Sequence, residues 1–168
     1  MTTRILVACA CVLVGLGAIV GVASTAGPPD GYEVFHDRDV RVDLPTRFGT
    51  VGVGDPNVIV AVAGPGRDSV QVTTAPSRGR SLAAFERATL QDVRTTAPDA
   101  QDLRREDVDV QGADEGRRLT FRNPDGDREV TLIIARDGNR FYTLAIDAGG
   151  DGDALDANTV EDSFAITD

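Results

Sequence analysis

The chain has 168 residues and a net charge of −10, with 27 acids and 17 basic residues, and none of the basic residues is lysine. A field of this sign repels phosphate backbones, so nucleic acid is excluded as the expected partner. The lack of lysine excludes Schiff-base chemistry and the phosphate-binding loop that ends in Gly-Lys-Ser/Thr. Because the two cysteines are Cys9 and Cys11 and the one histidine is His36, the rest of the chain has no cysteine nucleophile and no multi-histidine or cysteine-rich zinc site. We expect no cofactor.

Residues 1–26 are predicted to be a membrane anchor or a signal peptide. The segment from Ile5 to Ala23 is uncharged, and as a helix it is about 28 Å long, close to the bilayer hydrocarbon thickness of about 30 Å. Arg4 precedes it and acids follow it, so the positive-inside rule places the amino terminus in the cytoplasm and the remainder outside. The length favours a single-pass anchor in the cell membrane. Secretion after signal cleavage is the alternative, because small residues around Ser24 fit a signal-peptidase site.

Leu6-Val7-Ala8-Cys9 resembles the lipobox of bacterial lipoproteins. Only four apolar residues precede Cys9, fewer than the roughly 7 to 15 of a signal's hydrophobic region. Cys9 is therefore a weak lipidation candidate, and we expect no lipidation.

A short linker at residues 27–31 precedes one predicted extracytoplasmic domain at residues 32–168. The chain beyond Arg4 carries 27 acids against 16 arginines, a net charge of −11. Alternating apolar residues predict half-buried strands, and apolar runs predict strands buried on both faces. The predicted strands are 40–44, 57–63, 69–75, 108–110, 117–122, 130–135, 141–146 and 164–166.

Two helices are predicted between these strands. Ser81 is a suitable N-cap for a helix that ends near Ala97-Pro98, and a second helix is expected from about Asp153 to Asp162. Strands buried on both faces need covering layers, which the helices supply. The predicted fold class is therefore α+β, an antiparallel β-sheet flanked by helices in an α/β sandwich, after the N-terminal apolar helix.

The order of these elements resembles the PsbP-like fold, named after the extrinsic subunit of photosystem II. The resemblance covers nearly all of residues 32–167 and rests on an early strand, a hairpin, a helix, a long meander and a final helix, marked in this sequence by Leu44-Pro45, Ser81-Leu82, Phe85 and Ser163-Phe164. The chain has no tryptophan after the Leu-Pro, where Phe48 stands. The resemblance implies a binding or assembly module and supplies no catalytic residue.

The alternative function is a small extracytoplasmic hydrolase that uses His36 or a pair of carboxylates. A histidine base needs a matched nucleophile, and no serine lies in a Gly-x-Ser-x-Gly elbow. His36 lies among acids in His36-Asp37-Arg38-Asp39, so we expect a solvated residue at the start of a strand. The enzyme alternative is therefore not preferred.

The acidic loop at residues 147–156 is a weak metal candidate through Asp147, Asp151 and Asp153. An EF-hand template that begins at Asp147 places Gly149 and Asn158 at ligand positions, so two ligands are missing. We expect a turn before a helix and no metal.

Four arginines are the predicted ligand-binding residues: Arg118, Arg122, Arg136 and Arg140. Arg118 and Arg122 share a strand face, and Arg136 and Arg140 lie at strand ends nearby, together with Arg128. Arginines in an acidic protein suit a small anionic ligand or an acidic partner, although pairing with neighbouring acids is the common alternative. The predicted function is a membrane-tethered or secreted, non-catalytic binding or assembly module at the bacterial cell surface, with an exported protein or a small anionic ligand as its partner.

Overall fold

A computed structural model describes residues 27–123, 126–149 and 155–167. The predicted N-terminal helix with Cys9 and the metal candidates Asp151 and Asp153 lie outside these ranges. Within them, no helix has the length and apolar character needed to cross a bilayer.

The described residues form ten strands and two helices. In chain order they are β1 (Tyr32–Asp37), β2 (Val40–Pro45), β3 (Gly49–Thr50), β4 (Val58–Ala63), β5 (Ser69–Pro76), α1 (Leu82–Thr96), β6 (Gln101–Asp107), β7 (Glu115–Arg122), β8 (Arg128–Asp137), β9 (Arg140–Gly149), α2 (Ala157–Ser163) and β10 (Ala165–Ile166). A 3-10 turn at Pro65–Arg67 joins β4 to β5. Seven strands make an antiparallel main sheet in the order β3-β4-β5-β9-β8-β7-β6, and three make a small sheet in the order β1-β2-β10.

The main sheet is covered on both faces, because its central strands are apolar on both. In β8, Ile133 belongs to the core shared with the small sheet and α2, whereas Ile134 belongs to the core under α1. Under α1, the rings of Phe85 and Phe141 stack with centroids 4.3 Å apart. The result is three layers, α1, the main sheet, and the small sheet with α2, which confirms the predicted α+β sandwich.

The helices begin where local capping chemistry favours them. The Ser81 hydroxyl accepts the Ala84 N–H at the start of α1, as the sequence predicts. Asp156 caps α2 in the same manner by accepting the Asn158 N–H, so α2 begins later than the predicted helix at residues 153–162.

The strand predicted at residues 108–110 is wrong. The strand in this part of the chain is β6, an exposed edge strand whose residues all face solvent and show no apolar alternation. Val110 is apolar because it packs into the core from a loop. A strand pattern cannot be distinguished from such a loop over three residues.

The small sheet is also a correction to the single predicted sheet. Strand β2 pairs with β1 and β10 and lies over the main sheet, which explains why Val42, Asp43, Leu44 and Pro45 are all buried.

Tyr142 links the main sheet to the β1–β2 turn, since its hydroxyl donates to Asp39 Oδ2 at 2.9 Å. Burial, followed by the hydrogen bond to Asp39 and the charge of that carboxylate, raises the pKa of Tyr142 to about 12. Because the folded state holds this proton more tightly than the unfolded chain, the stability that it provides is present below pH 10 and is lost as the pH rises towards 12.

We predict that absorbance titration of tyrosinate shows one of the two tyrosines ionising near pH 12. Tyr142→Phe should remove that transition, and Asp39→Asn should move it to lower pH because the carboxylate raises the pKa. An identical high-pH transition in wild type and Tyr142→Phe would contradict the assignment.

Candidate functional site

His36, the candidate base, lies exposed on edge strand β1. Its Nε2 is 3.2 Å from Thr167 Oγ1. This contact joins β1 to the residue after β10 on the surface of the small sheet. The structure therefore places the predicted histidine beside a threonine hydroxyl and outside the cleft described below.

Three of the four predicted arginines pair with carboxylates of the chain. The ion pairs are Arg118 Nη1 to Glu106 at 3.2 Å and Nη2 to Glu161 at 3.1 Å, Arg122 to Asp102 at 3.6 Å, and Arg136 to Glu115 at 3.4 Å. The fourth, Arg140, donates from Nε to Thr74 Oγ1 at 3.3 Å.

The fold does not bring these four arginines together. Arg118 contacts Glu161 on α2, whereas Arg136 lies two residues after Ile134 and so faces the α1 side of the sheet. Arg122 pairs in register with residue 129 of β8 and Arg140 with residue 137, which separates them by about 26 Å along the strand. The anionic-ligand role of the four arginines stays a prediction, and they cannot act as one site.

Asp147 is also engaged by an arginine. Its Oδ1 accepts from Arg128 Nε at 2.8 Å. In the part of the chain that the structure describes, no three His, Cys, Asp or Glu side chains are grouped to hold a metal ion. The other two metal candidates, Asp151 and Asp153, lie outside the described residues, so the expectation of no metal in this loop stays a prediction.

A cleft of about 780 Å³ lies between the β6–β7 loop and α2. We call it the α2 cleft. It is lined by residues 108–113 together with Ile133, Glu161, Asp162 and Phe164. Its apolar lining includes Val110, Ile133 and Phe164, all of which are buried.

Backbone hydrogen bonds fix the loop that forms one wall of the cleft. The Ile166 N–H donates to the Gln111 carbonyl at 2.8 Å, and the Asp114 N–H donates to the Arg136 carbonyl at 2.7 Å. Gln111 and Ala165 form a parallel bridge. Gly112 follows at φ +79°, pressed so closely against the Ile166 carbonyl that a Cβ atom would overlap its oxygen. The wall is thus held to the strand that follows α2.

The titratable side chains that line the cleft are all acidic. Asp109 and Asp162 are exposed at its rim, whereas the Glu161 side chain is only 16% exposed and lies beside Arg118. Burial raises the pKa of Glu161, Arg118 opposes that rise, and Asp162 and Glu106 add to it. The cleft therefore combines carboxylates at several depths with apolar side chains that lie mostly beneath its surface.

The raised pKa of Glu161 predicts a pH-dependent effect of Glu161→Gln. A carboxyl whose pKa is higher in the folded state makes stability fall as pH rises from the unfolded value near 4.5 through the raised one. Glutamine lacks this titration, so the unfolding free energy of the variant relative to wild type should rise across that pH range in urea denaturation.

High salt serves as the control for this prediction. Because burial is the largest cause of the shift and is not screened by ions, the trend should persist at high ionic strength. A difference between variant and wild type that stays constant with pH, or that disappears in salt, would contradict it.

The sequence does not single out the cleft residues. Asp109 falls in a strand that does not form, and Glu161 and Asp162 read as ordinary helix residues. The only local signal is Gly112 after a valine-rich stretch, a hint of close backbone approach. The bridge between Gln111 and Ala165 joins residues far apart in the chain, and no sequence pattern indicates it.

Comparison with known proteins bears on the fold of the chain. No protein-family model matches the chain, and no curated protein matches it. The arrangement of a large antiparallel sheet, a small sheet and two helices among the described residues is that of the PsbP-like fold.

A solved structure with this fold is that of cyanobacterial PsbP (CyanoP) from Synechocystis sp. PCC 6803, determined in solution. It is 18% identical to this chain, with a TM-score of 0.62, and the match covers 90% of this chain and 98% of that one. The chain therefore has the PsbP-like fold, which confirms the resemblance in element order.

Proposed function

We propose that this protein is a non-catalytic binding module at the outer side of a bacterial cell membrane and that the α2 cleft is its binding site. The observation that carries the proposal is the cleft itself, a concave and mainly polar surface with buried apolar side chains beneath it. Its volume of about 780 Å³ lies within the range of roughly 300–1,000 Å³ that is usual for ligand sites.

The placement of the titratable groups favours binding over hydrolysis. The titratable side chains that line the cleft are Asp109, Glu161 and Asp162, and Glu161 is held by Arg118 at 3.1 Å. His36, the base that the hydrolase alternative needs, contacts Thr167 on another surface. A general base requires a nucleophile within hydrogen-bond reach inside a substrate site.

The membrane part of the proposal rests on the sequence of residues 5–23, whose length and flanking charges favour a retained anchor with the domain outside. Secretion after cleavage is the alternative form. Carbonate washing of membranes distinguishes them, since a spanning anchor stays in the pellet. Release of the chain into the medium would support the secreted form.

The binding proposal is tested by site-specific crosslinking in cells of the native host. A photo-crosslinking amino acid replaces Gln111, which is exposed in the wall of the cleft, in the full-length chain. The matched control replaces Arg87, which is exposed on α1 at the opposite side of the main sheet.

We expect adducts with a defined exported protein from position 111 and none of the same mass from position 87. Equal capture at the two positions, or no adduct at position 111, would overturn the proposal.

A further inference from the structure

We infer that the α2 cleft binds an arginine or lysine side chain presented by an extended segment of a partner protein. The inference rests on the proposed function and adds the chemistry of the partner. It follows from the half-buried apolar residues Val108 and Ala113 on the cleft floor, the acidic rim and the ion pairs that nearby arginines form within the chain.

The floor and rim match the two parts of a long basic side chain. Arginine and lysine bury an aliphatic stem against apolar surface while the charged group stays near water and counter-ions. In the α2 cleft, half-buried Val108 and Ala113 offer apolar surface, and Asp109 and Asp162 lie at the exposed edge.

The rim carboxylates are available to a partner. Arg118 already pairs with Glu106 and Glu161, so its charge is balanced inside the chain. No arginine in the described part of the chain forms an ion pair with Asp109 or Asp162. A cationic group that enters the cleft would therefore gain these two carboxylates without displacing an internal partner.

The chemistry points to an organic cation and not to a metal ion. A hard divalent cation takes six or more oxygen ligands, and the described residues include no group of three metal-ligating side chains. The cleft is also larger than one side chain, with room for the neighbouring residues of a peptide. The net charge of −11 beyond residue 4 steers such a basic segment towards this protein.

The test uses the full-length, ¹⁵N-labelled protein in uncharged detergent and two blocked pentapeptides. One is Gly-Arg-Ser-Arg-Gly, and the other carries citrulline, the neutral isostere of arginine, at both positions. We expect the arginine peptide to shift the amide signals of residues 110–113 and of α2, and the citrulline peptide to leave them unchanged.

Charge-matched variants separate the cleft from the overall field. Asp109→Asn/Asp162→Asn should lower the affinity for the arginine peptide by about tenfold or more. The reason is that losing a close charge pair costs about the free energy of a tenfold change in affinity. Asp30→Asn/Asp99→Asn changes the net charge equally at exposed sites elsewhere and should weaken binding less than about twofold.

Four results would overturn the inference: equal binding of the citrulline peptide, equal loss in both double variants, signal shifts outside the cleft, or tighter binding of free spermidine than of the peptide. Failure here is distinguishable from failure of the proposed function. If crosslinks at position 111 still capture an exported protein, the binding module stands and only the partner's chemistry is wrong.

Discussion

Arg128→Met is expected to lower the free energy of unfolding by about 3–5 kcal/mol, the usual loss when one partner of a buried ion pair is removed. The Arg128 side chain is 12% exposed and joins three parts of the fold. Its Nε donates to Asp147 on β9, and its Nη atoms donate to the Gly66 carbonyl at 2.6 Å and the Arg67 carbonyl at 2.9 Å. Without the guanidinium, these carbonyls and the nearby Asp68 carboxylate lose a charged donor.

The buried carboxylate of Asp68 is the main reason why Arg128→Met should cost so much stability. Its side chain is 9% exposed, and Oδ1 lies 3.3 Å from Arg128 Nη2 and accepts the Gly149 N–H at 2.8 Å. After Arg128→Met the carboxylate would remain buried with that one backbone donor. Arg128→Lys should give an intermediate loss, because an ammonium keeps the charge but cannot reproduce the planar fork.

The measurement is urea denaturation of the full-length protein in uncharged detergent, with Arg122→Met as the control. Arg122 is 49% exposed and pairs with Asp102 at 3.6 Å, so its replacement should change stability by less than about 1 kcal/mol. Arg128→Met/Asp68→Asn should lose less than the sum of the single variants, because the two residues interact. Equal losses for Arg128→Met and Arg122→Met would show that this cluster is not stabilising.

Arg128 illustrates which features of this protein could be read from the sequence. The sequence places it with Arg136 and Arg140 at neighbouring strand ends, and residue type alone indicates only a cation near acids. Its actual partners come from the turn at Pro65–Arg67 and from β9, which meet through sheet pairing. Side-chain function that depends on such pairings has no local signature.

The elements that were predicted correctly have a signal in their local sequence, either in their apolar residues or in a capping residue. In β8 and β9, neighbouring residues enter opposite cores, and Ser81 caps α1 through contacts within four residues. Strand β6 was missed because both of its faces are exposed, so burial leaves no pattern in it. The α2 cleft was missed because its wall is held by residues that lie beyond α2 in the chain.

Gly112→Ala is expected to lower the free energy of unfolding by about 3–4 kcal/mol, the second large effect. Two causes add at this position. An alanine at φ +79° carries a backbone strain of about 1–2 kcal/mol. The added Cβ must also push the loop away from the Ile166 carbonyl, which weakens the Ile166 N–H to Gln111 hydrogen bond and the packing of that buried isoleucine by a further 2 kcal/mol or so.

Gly79→Ala separates the two causes. Gly79 has φ +76°, nearly the same as Gly112, but a Cβ built there meets no atom within 4 Å. Its replacement should therefore show the backbone strain alone. Both variants are measured by urea denaturation. Equal losses of unfolding free energy would mean that the overlap with the Ile166 carbonyl is relieved at no cost in stability.

The consequence for the cleft follows from the same contact. If alanine at position 112 moves the loop from β10, the Ile166 amide should exchange with solvent faster in Gly112→Ala than in Gly79→Ala, because its acceptor on Gln111 has moved. The Asp109 carboxylate moves with the loop, so the arginine peptide should bind more weakly to Gly112→Ala under conditions where the protein stays folded. Unchanged peptide affinity together with faster Ile166 exchange would show that binding of a basic side chain does not depend on the position of this loop.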